Sequence, residues 1–239
     1  MNKDLIQQRF GKNLSTYNDN AKVQKIMAER LLSFLDREEF KNILEIGCGT
    51  GLLTECAINK LKYNSYTAND IVSDCEKYIT EINSDIKFVE CDVEEYSTNE
   101  KYDLIISNAV FQWVNDIEKL TEKLFSMLND GGILLFSTFG KENFREIYHV
   151  SGETLNYLSP SEYKNILKNY NITAEEEIRI MAFKTPKDIL KHLHSTGVNS
   201  LTQKAWTKKD MQSFENGYNN FCSNRPTLTY NPIYIKISK

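Results

Sequence analysis

Leu44-Glu45-Ile46-Gly47-Cys48-Gly49-Thr50-Gly51 is the stretch on which the fold turns. An apolar strand runs into three glycines at alternate positions, and helical periodicity begins at once afterwards. Glycine allows the tight turn and lets a ligand approach the main chain without meeting a Cβ atom. The amide groups at the start of the following helix favour a carboxylate or another anion. A dinucleotide-binding turn would carry its third glycine three residues after the second, where this chain has Leu52. A phosphate-binding P-loop is excluded because no Gly-Lys-Ser/Thr follows.

Working outward, short apolar runs alternate with helical patterns through the first 140 residues or so. Strands are expected at Asn42–Gly47, Ser65–Asn69, Ile86–Glu90, Leu104–Asn108 and Ile133–Thr138, with helices such as Leu52–Leu61 and Ile117–Leu128 between them. This alternation predicts an α/β fold, a parallel sheet with helices on both faces and right-handed crossovers. Two more strands are expected at Glu176–Ala182 and Ile233–Ile237, the last returning antiparallel to the rest. Ser159-Pro160-Ser161-Glu162 reads as a helix start, with Ser159 as cap and Pro160 in the first turn.

Three segments fall outside the repeating pattern. Residues 1–40 read as a helical N-terminal arm with Leu5, Phe10, Tyr17, Val23, Ile26 and Met27 as its apolar positions. Segments 139–158 and 185–226 follow strands whose ends should approach a ligand, and are expected to form a helical cap. The 239 residues suit one domain carrying these insertions.

Composition narrows the function. The chain is 41% hydrophobic and 26% charged, ordinary for a globular protein. No apolar run is long enough to cross a bilayer, and the first residues lack the apolar core of a signal peptide, so a cytoplasmic location is expected. Five cysteines without close pairing and three histidines offer no evident metal site. A net charge of −4 argues against general nucleic-acid binding. Monomer is the default expectation.

Further polar features stand at successive strand ends: Asp70 after the second, Asp92 after the third, and Asn108-Ala109-Val110-Phe111-Gln112-Trp113 after the fourth. Singly, the two aspartates could cap turns and the aromatics could be core. Together with Glu-x-Gly-x-Gly-x-Gly they resemble the class I methyltransferases. That resemblance implies a Rossmann-like seven-stranded sheet, mostly parallel with an antiparallel last strand, binding S-adenosylmethionine and releasing S-adenosylhomocysteine, with no metal. It assigns Glu45, Gly47, Gly49 and Gly51 to the cofactor turn, Asp70 and Ile71 to the ribose, Asp92 and Val93 to adenine, and Asn108 to the methyl end. No general base is obvious. Methyl transfer from a sulfonium needs alignment more than acid or base help, and an anionic acceptor needs no deprotonation. His149, His192 and His194 read as solvated or structural.

Other stretches resemble the BioC family, the malonyl-acyl carrier protein O-methyltransferases of biotin synthesis. They are Arg9-Phe10, Thr16-Tyr17-Asn18 with Ala21 and Gln24, Ser107-Asn108-Ala109 with Gln112-Trp113, and Ser137-Thr138-Phe139-Gly140 with Asn143-Phe144-Arg145-Glu146. The cap segments Thr185–Leu193 and Thr196-Gly197-Val198-Asn199, and the end Leu228–Tyr234, extend it. The resemblance implies methylation of the free carboxyl of malonyl carried on acyl carrier protein. Arg145 is the candidate carboxylate clamp, against the plainer reading of an exposed helix arginine. Tyr17, Gln112, Trp113 and Phe144 are its expected companions around the methyl.

Residues 182–209 hold Lys184, Lys187, Lys191, Lys204, Lys208 and Lys209 against one acid, Asp188. Such a patch would steer an acidic carrier protein; the alternative is a solvated helical surface. Rival readings are a methyltransferase of a small carboxylic acid or quinone precursor, and a cofactor-binding regulatory protein without turnover.

Overall fold

The computed structural model describes residues 3–196 and 207–239. Its elements are α1 (Lys3–Asn20), α2 (Lys22–Leu32), β1 (Asn42–Ile46), α3 (Leu52–Lys60), β2 (Ser65–Asp70), α4 (Cys75–Ile82), β3 (Lys87–Glu90), β4 (Tyr102–Asn108), α5 (Ile117–Ser126) and β5 (Leu128–Phe139). Then follow α6 (Arg145–Ser151), α7 (Pro160–Ile166), β6 (Asn171–Glu176), β7 (Arg179–Ala182), α8 (Pro186–Ser195), α9 (Lys208–Phe221), β8 (Thr227–Tyr230) and β9 (Pro232–Ser238).

Seven strands form one sheet in the order β3-β2-β1-β4-β5-β9-β6, parallel from β3 to β5, with β9 antiparallel to both of its neighbours. Alternation of side chains along each strand separates two apolar layers. Ile43, Leu104, Ile106, Ile133 and Leu135 face one layer, with α2, α3 and α4 against it. Leu44, Ile46, Ile105, Leu134 and Phe136 face the other, covered by Leu120 and Leu124 of α5 and Tyr163 of α7. Strands buried on both faces read as continuous apolar runs, which is why β1, β4 and β5 stand out in the sequence.

The order places β2 on one side of β1 and β4 on the other. The chain leaves β1 in one direction and returns on the opposite side, opening a crevice beyond the carboxyl ends of β1 and β4. The glycine turn sits at that crevice.

Two expectations are corrected. The single strand Glu176–Ala182 is two strands in different sheets. Its first part ends β6 on the main sheet, and Arg179–Ala182 pairs with β8 in a separate ribbon. The apolar alternation there faces outward, since Ile178 and Ile180 are 49% and 58% exposed. Ile26 is also on the outside, at 39% exposure, although Val23 and Met27 beside it are buried. The helix start at Ser159 is formed as read, with a reciprocal cap between Ser159 and Glu162 and Pro160 in the first turn.

Candidate active site

β1 delivers the glycine turn and β2 holds it. The amides of Gly47 and Cys48 both donate to the Asn69 carbonyl, at 2.7 and 3.0 Å. Gly47 and Gly51 have φ of +67° and +85°, and a Cβ on them would lie 2.3 Å from Val110 Cγ2 and 2.2 Å from Ile82 Cδ1. The left-handed backbone strains any side chain at both positions, and at Gly47 the whole Val110 side chain crowds the site. Asp70 accepts from the Gly49 amide at 2.8 Å and from the Val72 amide at 2.9 Å. The turn-capping role left open by the sequence is therefore real. A carboxylate has about four lone-pair sites, and Asp70 also lines the cleft.

Glu45 lies beneath the turn, 1% exposed, accepting from Thr54 Oγ1 at 2.7 Å and from the Tyr66 hydroxyl at 2.6 Å. Burial outweighs these bonds and pushes its carboxyl up from 4.5 to about 7. The folded chain thus holds a proton that the unfolded chain releases near pH 4.5. This contribution is complete below pH 4.5 and is lost as pH rises through about 7. Glu45→Gln, neutral throughout, is expected to gain stability over the wild type as pH rises from 5 to 8, by up to about 3 kcal/mol. Urea melts of both chains across that range check it, and a constant difference would show that Glu45 does not titrate there.

Ile71, Asp92, Val93, Asn108, Gln112, Trp113 and Tyr17 all line the same cleft, with Glu45 and the turn glycines Gly47 and Gly49. The third glycine, Gly51, borders the back of the turn. Asp92 caps its own turn, accepting from the Glu94 amide at 2.9 Å, and is paired with Lys3 Nζ at 2.5 Å. Lys3 also pairs with Glu94. Asn108 donates to the Gln24 carbonyl at 3.0 Å and accepts from Ser137 Oγ at 2.6 Å. Gln112 donates to the Ala109 carbonyl at 2.6 Å from the short 3-10 turn Phe111–Trp113. Phe111 itself is core, stacked on Phe136 at 3.7 Å. Tyr17 is half-buried, and desolvation followed by the Asp70 charge raises its phenol pKa.

Phe144 and Arg145 do not line this cleft. Phe144 takes a left-handed conformation (φ 58°) and is buried against Tyr230, ring centres 5.0 Å apart. Arg145 opens α6 with its side chain 46% exposed, 3.4 Å from Glu142. Their neighbours in the sequence motif anchor the insertion. Asn143 Oδ1 accepts from the Asn231 amide at 3.2 Å, while Glu146 accepts from the Thr229 amide at 2.9 Å and its hydroxyl at 2.6 Å. His192 is likewise structural, 2.6 Å from the Tyr230 hydroxyl. Lys184, Lys187, Lys191, Lys208 and Lys209 are exposed, whereas Lys204 lies outside the described residues.

The arm contributes more than expected. Lys3, Gln7, Phe10, Tyr17 and Gln24 line the cleft, and Gln7 Nε2 donates to the Ile71 carbonyl at 2.8 Å. With Leu14 and Ala21, both buried, these positions recur every three or four residues, a helical stripe that apolar periodicity alone missed because three of its seven members, Lys3, Gln7 and Gln24, are polar. Thr196, from the end of α8, also reaches the cleft.

Comparison with known proteins fits this geometry. The family model described as "Methyltransferase domain" matches residues 20–177. A malonyl-acyl carrier protein O-methyltransferase of Calditerrivibrio nitroreducens is 40% identical over 96% of this chain and 94% of the relative. The chain belongs to the malonyl-acyl carrier protein O-methyltransferase family. A second member of the family, from Chlorobium luteolum, is 34% identical over 99% of this chain and 95% of its own length. Among solved structures, the N-methyltransferase NodS of Bradyrhizobium japonicum, in complex with S-adenosylhomocysteine, superposes with a TM-score of 0.57 at 15% identity, covering 98% of both chains. YcgJ of Bacillus subtilis gives a TM-score of 0.59 at 12% identity over 88% of this chain and 96% of its own. At these identities the structural likeness shows the fold alone. Family-wide likeness reaches the cap helices as well as the sheet, because the relatives align along nearly the whole chain.

Among the described residues, no cluster of His, Cys, Asp and Glu could hold a metal, and no helix is long and apolar enough to cross a membrane.

Proposed function

We propose that this protein transfers a methyl group from S-adenosylmethionine to the free carboxylate of malonyl-acyl carrier protein, leaving S-adenosylhomocysteine and the malonyl methyl ester that starts pimeloyl synthesis for biotin. The observation that carries this reading is the 40% identity to a malonyl-acyl carrier protein O-methyltransferase along 96% of the chain, cap included. The cleft suits the cofactor. At Gly47 its turn leaves no room for a Cβ, and its lining holds the buried Asp70, whose carboxylate favours a cationic ligand.

In this reading Asp70 and Ile71 hold the ribose, Asp92 and Val93 the adenine, and Glu45, Gly47, Gly49 and Gly51 shape the turn. Asn108, Tyr17, Gln112 and Trp113 surround the transfer point. Bound there, S-adenosylmethionine supplies an electrophilic sulfonium methyl, which the carboxylate oxygen takes by in-line displacement. Malonyl carboxylate is ionised at neutral pH, so the chain need hold no base. Among the described residues Lys3 is the only cation of the cleft lining, and it is committed to Asp92 and Glu94. Arg145, which opens α6 outside this lining, is the candidate carboxylate clamp. Its pairing with Glu142 is solvent-exposed, of the weak kind that a better partner displaces, and its second contact, with buried Glu146, is long at 4.0 Å. Phe144 acts by fixing the start of α6.

The exposed lysines of α8 and α9 receive the acidic carrier. Reversing Lys187 and Lys208 to Glu together is expected to raise KM for malonyl-acyl carrier protein about tenfold at low salt with kcat unchanged. The difference should shrink as salt is added; equal KM at low salt would remove the patch from the interface. Five free cysteines suit a reducing cytoplasm, where the chain works as a monomer without nucleic acid or membrane. Intact-mass measurement tests the reaction. Malonyl-loaded carrier should gain one methyl and acetyl-loaded carrier none, and a malonyl carrier left unchanged by cofactor-bound protein would refute the proposal.

A further inference from the structure

Five buried side-chain polar atoms among the described residues have no hydrogen-bond partner: Gln24 Oε1, Thr121 Oγ1, Glu153 Oε2, Arg179 Nε and Tyr234 OH. Only Gln24 belongs to the lining of the cleft. Its residue is 4% exposed, on the inner face of α2 between buried Val23 and Met27. A buried amide oxygen without a donor is costly and calls for a partner, which in the lining of a ligand cleft is a ligand group or a water.

The position of Gln24 restricts what that donor is. Its own carbonyl is tied to Asn108 Nδ2 at 3.0 Å, and Asn108 is fixed in turn by Ser137 at 2.6 Å. Gln24 therefore stands over the end of β4. Asp92 follows β3, three strands away in the order β3-β2-β1-β4, which is roughly 14 Å at ordinary strand spacing. With the adenosine over β2 and β3, the part of the cofactor that reaches β4 is its amino-acid tail. Two groups there carry charge. The carboxylate only accepts hydrogen bonds, while the α-ammonium only donates. Asp70 in the same lining adds a field that favours the cation.

We propose that Gln24 Oε1 accepts a hydrogen bond from the α-ammonium of the cofactor's methionine tail. The proposal rests on the S-adenosylmethionine reading above. It makes α2 a part of the cofactor site and gives the N-terminal arm a role in recognising the amino acid.

Titration calorimetry tests it with two ligands, S-adenosylhomocysteine and its analogue carrying hydrogen in place of the α-ammonium. The wild type should bind the analogue about 10- to 100-fold more weakly, the range expected for a hydrogen bond to a charged group. Gln24→Leu should lose a similar factor for S-adenosylhomocysteine and nothing further for the analogue. Gln24→Glu, which keeps the acceptor, should bind S-adenosylhomocysteine at or above the wild-type level. The proposal is overturned if Gln24→Leu weakens both ligands equally. It is overturned too if Gln24→Glu loses as much as Gln24→Leu, which would make the amide a donor to the carboxylate. A wild type that binds neither ligand would overturn the cofactor reading and this proposal with it, whereas tight wild-type binding unaffected by Gln24→Leu overturns the proposal alone.

Discussion

Gly47→Ala should lower affinity for S-adenosylhomocysteine on the order of 100-fold or more, with a fold that still melts cooperatively. Gly47 has φ +67° and lies at the floor of the cleft, where the new Cβ would stand 2.3 Å from Val110 Cγ2. The turn must open or Val110 must move, and Val110 is itself part of the lining. Strain of this kind costs about 1–3 kcal/mol before any loss of ligand contacts, and here it falls on the cofactor's own seat. Gly131 supplies the control. It also has a positive φ, +73°, but a Cβ there meets nothing within 4 Å, and it lies outside the cleft lining. Gly131→Ala should therefore cost some stability and leave cofactor affinity alone. Calorimetry on the two variants separates a local seat from general strain. Equal affinities for Gly47→Ala and the wild type would detach the turn from cofactor binding.

Arg145→Ala is expected to reduce turnover of malonyl-acyl carrier protein by about 100- to 1000-fold, the scale of removing one member of a desolvated charge pair, while S-adenosylhomocysteine affinity stays at the wild-type level. Arg145→Lys should recover only part of the loss, since a guanidinium meets a carboxylate through two parallel bonds and an ammonium does not. The separation of turnover from cofactor affinity matters, because Arg145 opens the helix that Glu146 ties to β8. A variant that merely loosened α6 would lower stability as well. Tyr17→Phe, inside the cleft, is the companion variant, and unchanged turnover in both would remove these residues from the transfer site.

Much of this was legible in the sequence, for identifiable reasons. The glycine turn and the ends of β1 and β4 were readable because parallel strands buried on both faces leave unbroken apolar runs, and β2 and β3 followed from the alternation of strand and helix. The polar residues that follow them, Asp70, Asp92 and Asn108, then stand out. The edge of the sheet was not readable. Asn171–Glu176 is a largely exposed strand with few apolar residues, and Ile178 and Ile180 mimic a core strand while facing outward. Tertiary pairing to β9 and β8 decides both segments. The site was legible where side chains follow directly from a strand end. It was not legible where another element crosses the cleft. Lys3 and Gln7 reach it only because α1 lies against the loops after β2 and β3, through the Ile71 carbonyl and Asp92. Phe144 was misplaced because nothing local announces its left-handed backbone (φ 58°), which turns the ring onto Tyr230.

Initial rates of methyl transfer from labelled S-adenosylmethionine, compared across malonyl-, acetyl- and succinyl-loaded acyl carrier protein and free malonate, test the central claim most directly. Label should enter the malonyl carrier selectively and be released by ester hydrolysis. No labelling of any carrier by a protein that binds the cofactor tightly, or faster labelling of free malonate, would contradict the claim and direct the search to small acids.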